Sequence, residues 1–161
     1  MALPAGSWIL GQIHPVLTLQ AEVKGRPFTL KAPIDSADVV IAEDLTLSLG
    51  VRIDQVSAGN FLLDAALRGF LVSYGAHQLF FAGTGELAAD PVELTGVARA
   101  GQVAVDLVLD LRELASTEQS LVLGVTGTAV FKDVDVPIPG VGSLDQLELA
   151  VLTQLDLVVG Q

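Results

Sequence analysis

The stretch Gly101 to Leu111, GQVAVDLVLDL, constrains the fold more than any other part of the chain. Val103, Val105, Leu107, Leu109 and Leu111 fall on one face, while Asp106 and Asp110 fall on the other. Successive side chains of a strand point to opposite faces, so apolar residues at a period of two, backed by carboxylates, mean a half-buried β-strand. That apolar face must be covered. PVELTGVARAG, just before it, supplies a shorter strand and a turn. The two make a hairpin unit that the rest of the chain repeats with variations.

In chain order, Trp8 to Ile13 is extended and His14-Pro15 breaks it, because the residue before proline is pushed out of the helical region. Leu17, Leu19, Ala21 and Val23 then alternate with Thr18, Gln20 and Glu22, which predicts a strand. After the turn at 24–27, Phe28, Leu30 and Ala32 predict a shorter strand that ends near Pro33. Ile34 to Asp38 is turn-like, and Val39 to Ala42 predicts a brief strand. Leu45 to Ile53 alternates cleanly. Gln78 to Ala82 returns to strand, with Gly83-Thr84-Gly85 as its break. Leu121 to Phe131, an edge-like piece Val134 to Ile138, and a long strand from Leu147 to Val159 follow.

Only between Asn60 and Tyr74 does the period change. Phe61, Ala65 and Ala66 with Phe70 keep i, i+4 spacing, Asp64 and Arg68 form a favourable pair four apart, and Asn60 is an N-cap. One short helix near residues 60–73 is predicted, weakened by Gly69.

Length and composition narrow the class. The 161 residues make one domain, 1–161, with one core. Hydrophobic residues are 51%, charged residues 17% and the mean hydropathy is +0.60, yet no apolar run reaches the roughly 18 to 20 residues of a membrane helix. Stable membrane insertion by a helix is therefore not expected. The surplus apolar surface has two outlets, a lined cavity or an intersubunit face such as that of a homodimer. With 8 basic against 19 acidic residues and a net charge of −11, neither nucleic acid nor an anionic bilayer is an expected partner. The absence of cysteine excludes thiol catalysis and cysteine-based metal sites. No secretory signal is visible at the N-terminus, so a cytoplasmic location is expected.

About eight principal strands, one short helix and no βαβ pattern predict an all-β protein. A single antiparallel up-and-down β-barrel fits best, since closure removes edges that so apolar a chain could not expose. The helix is expected to cover one opening.

Trp8-Ile9-Leu10 with His14, then an alternating strand, resembles the start of the YceI-like family. The resemblance continues through Leu45 to Ile53, Leu67-Arg68-Gly69-Phe70, Gln78-Leu79-Phe80-Phe81 and the hairpin Val92-Glu93-Leu94-Thr95-Gly96-Val97-Ala98-Arg99. It covers almost the whole chain as a pattern of elements. It departs at Pro15, where the family has Ser, at Leu63 to Leu67, and at His77, where a Pro is expected. The resemblance implies a lipocalin-like barrel whose elongated apolar pocket holds a long-chain amphiphile, a polyisoprenoid in known members.

Residues expected to line or gate such a pocket are Trp8, Phe28, Leu47, Leu49, Phe61, Phe70, Phe80, Leu107 and Leu109. Phe80 and Phe81 are adjacent, so only one of the two faces inward. Lys24, Arg26 and Lys31 are read as a solvated turn, with a role at the barrel mouth as the sharper alternative. His14 and His77 lack a triad pattern, Gly83 to Glu86 lacks the lysine of a phosphate loop, and Asp35, Asp38, Asp133 and Asp135 lack calcium-loop spacing. No catalytic residue, metal or cofactor is expected. The reading is a protein that binds, carries or sequesters an apolar or amphiphilic small molecule such as an isoprenoid, quinone or other lipid. The alternatives are an assembly subunit with apolar contact faces and a lipocalin-like isomerase.

Overall fold

The alternation of residues 103–111 lies within a long strand in the computed structural model, which describes residues 4–12, 14–23, 26–57, 59, 64–65, 68–69, 77–88, 91–101, 103–138 and 142–160. Among the described residues there are nine strands: β1 (Gly6–Leu10), β2 (Val16–Val23), β3 (Arg26–Ile41), β4 (Asp44–Val51), β5 (Leu79–Glu86), β6 (Val92–Ala100), β7 (Val103–Ser116), β8 (Ser120–Ile138) and β9 (Gly142–Val159). Every pairing is antiparallel. From β3 to β9 each strand pairs with the next in sequence, the meander expected of an up-and-down barrel.

The ring closes through the first two strands. β1 and β2 each pair with β3 on one side and β9 on the other, so together they fill one of eight ring positions. The break between them falls at Gly11 to Pro15, where proline has no N–H to donate to a ladder. The surrounding polar groups are still paired. Gly11 donates its N–H to the carbonyl of Asp156, Ile34 donates to the carbonyl of Pro15, and the buried hydroxyl of Thr153 donates to the carbonyl of Val16 at 3.0 Å.

Several expected interruptions are absent. The short strand ending at Pro33 and the brief one at Val39 are a single strand, β3, with a bulge between Ile34 and Ser36. Ile34 faces Val51 and Ser36 faces Gly50, so Asp35 is the extra residue. An extra residue inverts parity, and the inward set changes from Ala32 and Ile34 to Ala37, Val39 and Ile41. This inversion is what made the sequence look like a turn. Likewise the edge-like piece at Val134 belongs to β8, and β9 begins at Gly142 rather than Leu147.

Gly83 and Gly85 do not end β5 either. Gly83 lies opposite Gly96 of β6, and a Cβ on Gly83 would come within 2.6 Å of the Phe81 ring. A Cβ on Gly96 would collide with the Ala82 carbonyl and sit 2.6 Å from the Gly83 Cα. The glycines are there to let β5 and β6 approach and to let Phe81 lie flat. Of the predicted helix, Asp64, Ala65, Arg68 and Gly69 are helical, and residues 60–63, 66–67 and 70–73 lie outside the described residues. The link from β4 also holds a 3-10 turn, Ile53–Gln55, and runs on along β3 through the paired backbones of Lys31 and Ser57.

Candidate ligand-binding interior

The inner wall is set by parity. One row of cross-strand neighbours runs Leu94, Leu109, Gly127, Val151, Leu19 and Leu30; the next runs Val39, Leu47, Gly83, Gly96, Leu107, Ala129 and Leu149. These rows and their neighbours form one continuous apolar cluster. The described side chains buried on this wall are hydrocarbon apart from the indole of Trp8, whose N–H donates to the carbonyl of Pro4, and the polar Thr153 and half-buried Glu113. Glu113 shares the parity of Leu109 and Leu111 and lies opposite Leu123, and its Oε2 is buried without a hydrogen-bond partner.

Of the predicted lining residues, Trp8, Leu47, Leu49, Leu107 and Leu109 are all buried on this wall. Phe28 is described only as a backbone position of β3 opposite Ala21, and Phe61 and Phe70 lie outside the described residues. Phe80 is a correction. It points outward and is 56% exposed, whereas Phe81 is 2% exposed and takes the inward position. The deciding signal was present in the sequence: Thr84 and Glu86 share the parity of Phe80, and their polarity marks the outer face. Ending the strand at Ala82 discarded that signal. Leu94, Leu111, Leu123 and Leu155, each at most 1% exposed, also belong to the wall and were not singled out. They carry no chemical mark beyond alternation.

The histidines are both exposed. His14 sits in the break between β1 and β2, and the backbone carbonyl of His77 accepts the N–H of Asp54. Lys31 is exposed on the outer face, while the side chains of Lys24 and Arg26 lie outside the described residues. No group of three His, Cys, Asp or Glu side chains converges among the described residues.

Polar side chains brace the outside of the wall where the β4 to β5 link departs and returns. Gln78 donates to Asp35 Oδ2 at 2.7 Å, while Asp35 Oδ1 is buried without a partner. Arg52 forks onto Asp54, Nε to Oδ1 at 3.1 Å and Nη2 to Oδ2 at 2.9 Å. That hydrogen bond, aided by the charges of Arg52 and nearby His77, holds the Asp54 carboxyl below its ordinary value although desolvation opposes it. The same pairing raises Arg52. Arg68 donates to the carbonyl of Val56, tying the helical residues to the link.

A cavity of about 560 Å³ opens in the wall where the β2 and β9 ladder ends. It is lined by outward-facing residues of β2, β3, β8 and β9 and by Ala21, which has inward parity.

No family model matches the chain, and no curated protein matches it. Solved structures do. The polyisoprenoid-binding domain from Saccharophagus degradans, implicated in plant cell wall breakdown, aligns with a TM-score of 0.61 at 9% identity over 98% of this chain and 100% of that one. BcnA from Burkholderia cenocepacia aligns with a TM-score of 0.57 at 8% identity over 87% of this chain and 95% of that one. At such identity the likeness speaks for architecture, and the closed antiparallel barrel of this chain is the fold of these two proteins.

Proposed function

We propose that this chain binds the apolar chain of a small amphiphile, an isoprenoid, quinone or other lipid, against the inner wall of its barrel, as a carrier or sequestering protein without a catalytic step. The observation that carries the reading is the continuous hydrocarbon lining inside a closed ring of eight positions. Barrels of this size are filled by their own side chains or hold one small ligand. Each buried CH₂ contributes about 0.8 kcal/mol, so an apolar chain of a few isoprene units binds without any specific polar contact. The solved domain of the same fold that is named for polyisoprenoid binding supports this choice of ligand class, as does the resemblance to the YceI-like family.

A second reading, an assembly subunit such as a homodimer, is favoured by a different observation. Leu114, Leu152 and Val16 are 56%, 50% and 47% exposed on β7, β9 and β2, of which β9 and β2 are neighbours and β7 is one strand further on. One experiment separates the two. Organic extraction of the purified protein followed by mass spectrometry, beside native mass spectrometry of the intact sample, is expected to give a stoichiometric lipid. An oligomer that releases no lipid would overturn the carrier reading in favour of assembly.

A further inference from the structure

The joint that closes the ring is split. β9 meets the first ring position in two separate ladders, three registered pairs with β1 and three with β2. At the end nearer the β2 to β3 turn, the joint is open in the structure. Its ladder stops at Gln20 and Ala150, although β2 continues to Val23 and β9 starts at Gly142.

The side chains explain the stop. Continued in the same register, the next outward pair would set Glu22 against Glu148, both exposed. Like charges directly opposite each other disfavour strand pairing. The other edge of the same hairpin is also released, because the ladder between β7 and β8 ends at Leu107 and Ala129. Among the described residues, 130–138 of β8 and 142–148 of β9 therefore have ladder partners only in each other.

The cavity of about 560 Å³ occupies this gap. Ala21 and Glu22 of β2, with Thr29 of β3, stand on one bank, and Thr128 and Glu148 stand on the other. Ala21 is partly buried and packs against the apolar cluster of the interior, so the cavity touches the inner wall at this residue, where the side chain is small.

We propose that the gap between β2 and β9 is a side entrance, through which the apolar chain of an amphiphile reaches the inner wall while its headgroup stays at the polar banks. The entrance rests on the binding function proposed above. It makes exchange depend on the spacing of two strands rather than on the barrel ends.

The chain has no cysteine, so a variant carrying Glu22→Cys and Glu148→Cys can be joined across the gap alone with a short bis-maleimide. The probe is a dansyl-labelled farnesol, read by energy transfer from Trp8, the single tryptophan, which is 3% exposed in the core. Cross-linking is expected to slow association and release together, by about tenfold or more, with Kd nearly unchanged, since an entrance alters rates and not end states. The uncross-linked variant, which already lacks the two like charges, is the reference against which the cross-linked rates are compared. Glu148→Lys, which sets opposite charges across the gap, should slow exchange several-fold, and adding Glu22→Lys should restore it. Unchanged rates in a cross-linked protein that still binds overturn the entrance alone. A wild-type protein that takes up no probe overturns the binding function, and the entrance with it.

Discussion

Deleting Asp35 should cost far less than deleting Asp38, although both lie in β3 and each removes one aspartate. Asp35 is the extra residue of the bulge, so without it Ile34 still faces Val51 and Ser36 still faces Gly50 in a regular ladder. Every inward residue on both sides keeps its face. The deletion loses the Gln78 hydrogen bond to the carboxylate, about 1.5–3 kcal/mol, but also removes a buried carboxylate oxygen without a partner, which costs about 1–3 kcal/mol. The net change should lie within about 2 kcal/mol of zero. Deleting Asp38 instead brings Ala37 and Val39 together and inverts one half of the strand. The cheaper half to lose contains Val39 and Ile41, 0% and 2% exposed. At about 1.5–3 kcal/mol for each side chain turned out to water, the loss is roughly 3–6 kcal/mol, a large part of the 5–15 kcal/mol that holds a typical domain together. Urea unfolding followed by Trp8 fluorescence measures both, because Trp8 is buried and pairs with Val39. Equal destabilisation by the two deletions would refute the bulge argument.

The two adjacent phenylalanines give a second comparison. Phe81→Ala should destabilise by about 3–5 kcal/mol and Phe80→Ala by less than about 1 kcal/mol, measured by urea midpoint; the reverse order would mean that β5 is turned inside out. The Arg52 and Asp54 pair gives a pH dependence. Because folding lowers the Asp54 pKa, the contribution is present above the unfolded aspartate pKa and is lost as pH falls through the folded value. Wild type and Arg52→Ala should therefore differ in stability near neutral pH and converge in strong acid. An NMR titration should show Asp54 moving upward in the variant.

Strand positions were legible wherever one face carried polar groups. Asp106 and Asp110, or Thr46 and Ser48, fix the parity of their neighbours without any knowledge of the fold. The errors arose where parity itself changes or where glycine replaces a side chain. Asp35 inserts a residue, so two alternating runs of one strand read as separate elements. Gly83 and Gly85 read as breakers because their function, making room for Phe81 and for β6, depends on neighbours distant in sequence. The interior was legible as a class of surface, hydrocarbon at period two, but not residue by residue. The unpartnered Glu113 oxygen and the gap beside Glu22 were invisible because both depend on how β7, β8, β9 and β2 are staggered.

Closure through the tandem pair β1 and β2 also sets the order in which a growing chain acquires structure. β3 to β8 can zip as successive antiparallel pairs, most of them between residues close in sequence, with the longer β4 to β5 link as the exception. β1 and β2 gain only their β3 partner until residues 150–159 of β9 arrive to meet Trp8, Ile9, Leu10 and residues 18–20. That contact spans nearly the full described chain, and contacts of high sequence separation form slowly. Before it forms, the sheet is an open ribbon with a hydrocarbon face and two unpaired edges, a state prone to association. The protein is thus most vulnerable to aggregation just before its last strand docks, and a chain lacking residues 150–159 would keep that vulnerability permanently.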